Sequence, residues 1–212
     1  MAAGRFITFE GGEGAGKSTQ VGLLADALSR HGVAVRATRE PGGTAGGEDI
    51  RRLLVHGASG RWDAMSEALL HFAARREHLR TLIWPQLAAG TWIVSDRFAD
   101  STMAYQGYGH QLGRAAVEQL YSLVVGSFRP DVTVILDVPV AIGLHRAAAR
   151  RDGEDRYEEM DRAFHERLRD GFHEIARREP ERCLLIDATG DITAVHDAVC
   201  AGVGARLGVK LP

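Results

Sequence analysis

The sequence predicts an α/β fold in which helices cover both faces of a five-stranded parallel sheet. Short apolar runs typical of buried strands alternate, along the 212 residues, with longer stretches of helical periodicity. Such alternation favours parallel strands, because each connection must cross over the sheet. Glycine-rich and charged loops follow the predicted strands, at the edge where α/β proteins bind ligands.

The predicted elements follow one another in that alternating order. The first strand covers residues 5–9, and the first helix covers 19–31. Pro85 is expected to kink or interrupt the longest helical stretch, since proline lacks a backbone donor. The other strands are predicted at 33–38, 91–95, 132–136 and 183–186, and the other helices at 48–56, 62–89, 115–125, 141–149, 161–178 and 192–206.

Length and composition favour a single globular enzyme domain covering 1–212. The net charge of −2 gives no general attraction to nucleic acid. Cys183 and Cys200, the only cysteines, form no metal-binding or disulfide pattern. No apolar run approaches the ~20 residues of a membrane span, and a strand begins too early for a signal peptide. We therefore expect a cytoplasmic protein.

The strongest motif lies between the first strand and the first helix. It fits G-x-x-x-x-G-K-[ST], and its glycines let successive N–H groups turn towards a phosphate. Lys17, one of only two lysines in the chain, would add a full charge, and Ser18 could ligate Mg²⁺. A chance glycine turn is the alternative. The motif predicts a P-loop NTPase-type three-layer fold that binds ATP through Gly11, Gly12, Glu13, Gly14, Ala15, Gly16, Lys17, Ser18 and Thr19.

Acidic residues end two of the predicted strands. Asp96 could organise Mg²⁺, and Arg97 could hold an acceptor phosphate with two hydrogen bonds. A plain ion pair with a nearby helix is the alternative for Asp96 and Arg97, and Asp137 is the alternative metal-organising carboxylate. We favour Asp96 because a hydroxyl-rich stretch follows it, consisting of Ser101, Thr102, Tyr105 and Gln106.

Two further groups of residues suggest ligand contacts. The charged stretch 150–157 interrupts two helices, and its arginines could form a lid over a transferring phosphoryl group. An ordinary solvated helix end is the alternative. His71, Phe72 and Arg75 lie on the long helix, where a ring beside an arginine could recognise a base. Alternatively, Phe72 belongs to the core and Arg75 to the surface.

Over nearly its whole length, the sequence resembles the bacterial thymidylate kinases. The resemblance rests on FEGGEGAGKSTQ at 9–20, REPGGT at 39–44, GEDIR at 47–51, DRF at 96–98, STMAYQG at 101–107 and DRYE at 155–158. It implies phosphoryl transfer from ATP, with Mg²⁺, to dTMP, and a homodimer formed through the long helices, for which the apolar face from Leu69 to Ile83 could serve.

The resemblance also implies roles for individual residues. Arg97 and Arg51 would bind the dTMP phosphate, and Glu10 would lie by the deoxyribose or the metal. Arg146 would pack on the adenine near Ala188 and Thr189. The remaining contacts with dTMP would come from Glu40, Pro41 (after a cis peptide bond), His71, Phe72, Arg75, Ser101, Thr102, Tyr105 and Gln106.

The resemblance leaves two choices open. Gly14 stands where some relatives have a catalytic arginine, so this chain resembles those that carry it in the lid, and Arg150, Arg151 and Arg156 are the candidates. In many relatives an aromatic ring stacks on thymine four residues before the helix arginine. His71 occupies that position here, with Phe72 next to it. We expect His71 to contact the base.

Two other functions are compatible with a P-loop. Another nucleoside or nucleotide kinase is the first, although a nucleoside has no phosphate for Arg51 and Arg97 to hold. The second is a switch protein that hydrolyses a nucleotide, for which a lid and acceptor-side arginines would have little use.

Overall fold

The computed structural model describes residues 3–57, 60–149, 156–158 and 160–211. Within these ranges the strands are β1 (Phe6–Glu10), β2 (Val35–Arg39), β3 (Trp92–Asp96), β4 (Val132–Asp137) and β5 (Cys183–Asp187). The helices are α1 (Lys17–Arg30), α2 (Ala45–Val55), α3 (Ala64–His78), α4 (Trp84–Ala88), α5 (Ala99–Thr102), α6 (Arg114–Val124), α7 (Val140–Ala148), α8 (Arg162–Arg178) and α9 (Ile192–Leu207).

The strands form one parallel sheet in the order β2-β3-β1-β4-β5, as the sequence predicts. The register aligns Phe9 with Asp96, and Asp96 with Arg39. The loops that follow β1, β2 and β3 therefore leave the sheet side by side at its carboxyl edge. This is the crevice in which open parallel sheets bind ligands.

Each face of the sheet has its own hydrophobic core, which gives the predicted three layers. Successive strand side chains point to opposite faces, so Phe6 packs with α3, α6 and α8, whereas Ile7 packs with α1 and α9. The three central strands are buried almost throughout, while the edge strands β2 and β5 carry several exposed positions.

The long helix predicted at 62–89 consists of α3, a π-helical turn at Leu79–Ile83, and α4. The N–H of Trp84 donates to the carbonyl of Leu79, five residues earlier. The widened turn directly precedes Pro85, which removes a donor from the α-helical ladder. The expected interruption is therefore present as a local widening.

The stretch after α5, which contains Gly107 and Gly109, forms a second π-helical segment, Met103–Gly109. A Cβ on Gly109 would lie 2.5 Å from the ring of Phe164 in α8, and one on Gly171 would lie 2.9 Å from Tyr108. Gly109 and Gly171 therefore permit close packing between this segment and α8.

No helix in the described part of the chain is both long enough and apolar enough to span a membrane.

Candidate functional site

The loop after β1 brings a lysine and an arginine to the same backbone carbonyl. Lys17 Nζ donates to the carbonyl oxygens of Gly11 (3.1 Å) and Gly12 (2.7 Å). The Arg97 guanidinium, arriving from the end of β3, also donates to Gly11 O, at 3.3 Å. Lys17 and Arg97, predicted to act on the two substrates, therefore lie next to each other at the carboxyl edge of the sheet.

The glycine loop fits tightly against α7. Gly14 has a φ of +66°, and a Cβ added to it would lie 2.0 Å from the carbonyl oxygen of Gly143. Position 14 therefore has no room for an arginine side chain. Burial and the nearby charge of Arg97 lower the pKa of Lys17 to about 8. At neutral pH the Lys17 ammonium group is therefore still protonated in most molecules.

Ser18 and Asp96 meet at the start of α1. The Ser18 hydroxyl donates to Asp96 Oδ2 at 2.5 Å. Asp137, the alternative metal-organising carboxylate, accepts two hydrogen bonds from Arg169 at 2.8 Å and lies 2.9 Å from His173. The structure thus pairs the P-loop hydroxyl with Asp96 and commits Asp137 to an ion pair on α8.

A cavity of about 750 Å³ opens in front of these groups. Its polar lining includes both the P-loop lysine and the strand-end aspartate. The lining residues are Glu13, Gly16, Lys17, Ser18, Arg39, Glu40, Arg51, Asp96, Arg97 and Glu158. We call it the donor cavity.

A second cavity of about 550 Å³, which we call the acceptor cavity, adjoins the first. Glu13, Glu40, Arg51 and Arg97 line both, so the two form a continuous crevice. The acceptor cavity is lined by Glu13, Glu40, Pro41, Arg51, Val55, His71, Arg97, Ser101, Thr102, Tyr105, Gln106 and Tyr157.

Arg97 is held by several partners at the boundary between the cavities. Its φ of +69° is in the left-handed region, which is unusual for arginine. The guanidinium donates to Glu13 Oε1 (3.0 Å) and Ser101 Oγ (3.2 Å), and lies 4.8 Å from the centre of the Tyr105 ring. Tyr105 also donates to Glu13 Oε1, at 2.5 Å.

Glu10 holds the backbone segment that follows Arg97. It is fully buried and accepts hydrogen bonds from Phe98 N (2.8 Å) and Ser101 Oγ (2.5 Å). Burial, together with the neighbouring charge of Asp100, raises the pKa of Glu10 to about 8. Glu10 lines neither cavity, so it supports the backbone that presents Arg97.

Arg75 occupies a buried position behind the acceptor cavity. It donates to Glu40 Oε2 (2.8 Å), Phe98 O (3.0 Å) and Thr102 Oγ1 (3.0 Å). Burial opposes the ionisation of Glu40, but Arg75 and His78 nevertheless lower its pKa below the usual value. Arg75 NH1 is buried and has no hydrogen-bond partner among the described residues.

Gln106 forms the neighbouring part of the wall and is also fully buried. Its Nε2 donates to Glu67 Oε1 at 2.6 Å, whereas its Oε1 has no partner in the part of the chain that the structure describes. The unsatisfied acceptor on Gln106 therefore lies in the wall of the acceptor cavity, and the unsatisfied donor on Arg75 lies behind that wall. Buried polar atoms of this kind usually mark a missing ligand or water.

The chain matches a known protein family. The family model described as thymidylate kinase matches residues 9–199. The chain is 52% identical over 209 residues to the thymidylate kinase of Caulobacter vibrioides, covering 99% of this chain and all of that protein. It is also 52% identical to the thymidylate kinase of Rhodopseudomonas palustris strain CGA009, covering 96% of this chain and 90% of the relative.

The chain belongs to the thymidylate kinase family. The crystal structure of thymidylate kinase from Ehrlichia chaffeensis superposes with a TM-score of 0.77 at 40% identity, covering 95% of this chain and 98% of the other. The α/β fold predicted from the sequence is confirmed, and the protein is a kinase.

Half of the predicted site residues line the two cavities of the crevice. The Glu40–Pro41 peptide bond is cis, as the resemblance implied. Arg146 donates to the carbonyls of Ala188 (2.8 Å) and Thr189 (3.1 Å), which brings the three predicted adenine-site residues together. Thr19 lies in the first turn of α1, directly after Ser18. Glu13, assigned only to the ATP loop, also lines the acceptor cavity.

His71 and Phe72 are separated by the structure. His71 lines the acceptor cavity, and its Nε2 lies 3.1 Å from Tyr157 OH. Phe72 is 1% exposed in the core, with its ring 4.9 Å from the Arg75 guanidinium. The structure contradicts Phe72 as a base contact, because its ring is covered by Arg75. Arg75 is buried, so the alternative that placed it on the surface was also wrong.

Two more predictions need correction. The predicted contact of Glu10 with the deoxyribose or metal does not fit its burial beneath Phe98 and Ser101. Arg156, a candidate catalytic arginine, is 2% exposed and pairs with Glu67. The structure therefore gives it a buried supporting position. Arg150 and Arg151 lie outside the described residues, as does most of the predicted lid.

Proposed function

We propose that this protein transfers a phosphoryl group from ATP to dTMP, which gives dTDP and ADP. One observation carries the proposal most directly: Lys17 and Arg97 both donate to the carbonyl of Gly11. A phosphate-binding loop and an acceptor-side arginine so close together can hold two phosphates for direct transfer. The names of the curated relatives agree with this reaction.

The donor cavity suits the triphosphate of ATP. Backbone N–H groups of the glycine loop and the N-terminus of α1 favour negative charge there. The carbonyl contacts of Lys17 leave its ammonium group at the mouth of this cavity, ready to exchange a carbonyl for a phosphate oxygen. Arg146, Ala188 and Thr189 would then receive the adenine.

The pairing of Ser18 with Asp96 fits Mg²⁺, which prefers oxygen ligands. In the proposed complex the Ser18 hydroxyl would bind the ion directly, and Asp96 would hold one of its waters. The bound ion would neutralise charge that develops on the phosphates. Lys17 and Arg97 would supply the positive charge that belongs to the chain itself.

Arg51 and Arg97 are the proposed ligands of the dTMP phosphate. Both line the donor and the acceptor cavities, so a phosphate between them faces the glycine loop. Arg51 NH1 donates to Pro41 O at 2.8 Å, which aligns its side chain along the wall. The Glu13 carboxylate, between Arg97 and Tyr105, is placed to accept a hydrogen bond from a sugar hydroxyl.

The buried polar atoms near the acceptor cavity account for the proposed preference for thymine over cytosine. The edge of thymine presents a carbonyl acceptor at O4 beside an N3–H donor. Arg75 NH1 and Gln106 Oε1 supply the complementary donor and acceptor, and neither has a partner among the described residues. Cytosine presents the opposite pattern, with an amino group beside N3, so it would leave both protein atoms unsatisfied.

His71 is the proposed ring against the base. Burial lowers the pKa of His71 to about 4, so the imidazole is neutral at physiological pH and can pack against an uncharged base. Its hydrogen bond with Tyr157 fixes the plane of the ring. Tyr157 lies directly after Arg156, at the end of the predicted lid.

A coupled assay of ADP formation tests the proposal with thymidine, dTMP, dUMP and dCMP as acceptors. We expect kcat/KM for dTMP to exceed that for thymidine by at least about 100-fold, because only dTMP engages the two arginines. Faster transfer to thymidine would support a nucleoside kinase. Hydrolysis of ATP that is independent of any acceptor, and faster than transfer, would support a switch protein.

We also propose a homodimer formed through the long helix α3. Leu79, Leu82 and Ile83 belong to the core, so the predicted face from Leu69 to Ile83 is not available as a whole. Met65 and Leu69 are instead exposed in one stripe on α3, at 40% and 49%. Light scattering of the wild type and of Leu69→Glu tests this. A dimer that persists unchanged in the variant would place the interface elsewhere.

A further inference from the structure

A buried carboxylate lies directly behind the wall of the acceptor cavity. Glu67, on α3, has no exposed surface and does not line the cavity itself. Its Oε1 accepts a hydrogen bond from Gln106 Nε2 at 2.6 Å, and its Oε2 pairs with Arg156 NH2. No motif in the sequence marks Glu67, yet it contacts a residue that faces the base.

The surroundings of Glu67 keep it ionised. Burial by itself would raise the pKa of Glu67, but His110, whose Nε2 lies 3.4 Å from Glu67 Oε1, and the positive charge of Arg156 lower the pKa to about 2. An ionised carboxylate can only accept hydrogen bonds. Both oxygens of Glu67 therefore require donors from the groups that face them.

This requirement decides which way the amide of Gln106 points. The oxygen and nitrogen ends of a glutamine side chain are nearly equal in size, so packing alone does not distinguish them. If the amide were flipped, its oxygen would face Glu67 Oε1 at about the 2.6 Å contact now made by Nε2. Two buried acceptors at that separation repel each other. The amide nitrogen therefore faces Glu67, which leaves Oε1 for the cavity.

We propose that Glu67 is the specificity-determining positioning residue of the acceptor cavity, which fixes the amide of Gln106 so that a base with an N3–H is accepted and cytosine is rejected. The inference rests on the proposed function, since it concerns recognition of the acceptor nucleotide. Glu67 itself touches no substrate. A glutamine without this neighbour could present either end and would distinguish the two bases poorly.

Arg156 supports the same arrangement. Its guanidinium pairs with Glu67 and also donates to Leu54 O at 2.9 Å, so it connects α2 and α3 to the end of the predicted lid. Tyr157, the next residue, contacts His71 in the cavity wall. The arginine that the motif suggested as catalytic is therefore assigned to base selection.

The test compares Glu67→Gln with the wild-type full-length chain. A glutamine at position 67 is similar in shape but can donate or accept, so both orientations of Gln106 become possible. Dissociation constants for dUMP and dCMP are measured by titration calorimetry without ATP. Because these two nucleotides differ only at N3 and at position 4 of the base, their ratio measures recognition of that edge. The ratio of dTMP to dUMP affinity measures recognition of the methyl group, which the substitution should not change.

We expect the wild type to prefer dUMP over dCMP by about 100-fold or more. Glu67→Gln should reduce this preference by about tenfold, the effect of one hydrogen bond exchanged for another. The ratio of dTMP to dUMP affinity should stay within about twofold of the wild type. Val195→Ala, a core truncation on the other face of the sheet, controls for general loss of stability and should alter neither ratio.

A double-mutant cycle shows whether the effect passes through the amide. In a Gln106→Met background, Glu67→Gln should leave the ratio of dUMP to dCMP unchanged, because there is no amide to orient. Should Glu67→Gln fail to fold, Arg156→Gln weakens the hold on Glu67 and is expected to lower the preference in the same direction.

The outcomes separate this inference from the proposed function. A wild type that phosphorylates dTMP, together with a Glu67→Gln variant that keeps the full preference for dUMP, overturns only the role of Glu67. The same conclusion follows if both ratios fall equally, since that would indicate a general loosening of the pocket. A wild type that does not phosphorylate dTMP overturns the proposed function instead.

Discussion

The donor and acceptor sides of the crevice are built in different ways. The donor side takes its loop, its lysine and the start of α1 from one continuous stretch that begins at Gly11, and Arg39, Arg51 and Asp96 are among the residues that complete its lining. The acceptor side takes its lining mainly from the loop between β2 and α2, from helices α2 and α3, from the segment after β3 and from Tyr157. The donor side therefore depends on local backbone geometry, and the acceptor side depends on a buried network of side chains.

Because of this difference, side chains on the two sides should contribute differently to activity and to the free energy of unfolding. Lys17 makes its hydrogen bonds with loop carbonyls, so its removal should leave the cores intact. Arg75 pairs with Glu40 inside the protein, and Glu40 also contacts His78. Loss of an acceptor-side charge should therefore weaken both binding and folding, whereas loss of Lys17 should weaken the reaction alone.

The largest expected effect is that of Lys17→Ala. We expect kcat to fall by at least about 100-fold, since a charge acting on the transferring phosphate is lost. The midpoint of thermal unfolding should change little. Lys210→Ala is the matched control, because Lys210 is the only other lysine and lies exposed near the end of the chain. Equal losses in both variants would contradict the donor-side assignment.

Arg75→Met should lower stability strongly. It leaves the buried Glu40 without its guanidinium partner, for which we expect a loss of about 3–5 kcal/mol in the free energy of unfolding. Urea denaturation measures this, and the KM for dTMP should rise in the same variant. Arg80→Met, a change to an exposed arginine paired with Glu77 in the following π turn, is expected to lose less than about 1 kcal/mol. Similar losses would argue that the buried network is not stabilising.

Arg97→Ala distinguishes the two substrates. The KM for dTMP should increase by about tenfold or more, and by a larger factor than the KM for ATP, because Arg97 lies on the acceptor side. Steady-state kinetics with each substrate varied in turn gives both values. Arg36→Ala, on the exposed side of β2, should leave them unchanged. Equal increases for the two substrates would count against Arg97 as a ligand of the acceptor phosphate.

Gly14→Ala tests the close contact between the glycine loop and α7. The added Cβ would meet Gly143 O at 2.0 Å, and the φ of +66° is strained for alanine. We expect a loss of about 1–3 kcal/mol in stability and weaker ATP binding. Gly22→Ala, in α1 with nothing near the added atom, should instead be neutral or stabilising by up to about 1 kcal/mol. A stable Gly14→Ala enzyme would show that the loop can move away.

The smallest effect concerns pH. The pKa of His71 is lowered from 6.5 to about 4 in the folded protein, chiefly by burial. Between these values the unfolded chain binds more protons, so stability should fall as the pH drops from about 6.5 to about 4. Unfolding midpoints measured across this range should fall less steeply in His71→Asn. An identical slope in the variant would assign the pH dependence to other groups.

The amino-acid sequence alone determined those features of this protein that arise from residues close together in the chain. The alternation of elements, the five strands and the glycine loop follow from local periodicity and from one contiguous motif, and the structure has them within a few residues. The loop residues around Asp96 favoured it over Asp137, and the structure pairs Asp96 with Ser18. That Asp96 organises a metal ion stays a prediction.

Only the tertiary packing determined which side chains around the acceptor cavity line the cavity and which are buried behind it. Glu10, Phe72 and Arg156 belong to motifs that suggest ligand contact, yet packing buries them behind Ser101, Arg75 and Glu67. Glu67, which no motif marks, controls the direction of Gln106. The hydrogen-bond partners of Arg75, Glu67 and Arg156 come from segments 23–102 residues away. No local pattern in the sequence encodes which of two polar groups will meet across such a distance.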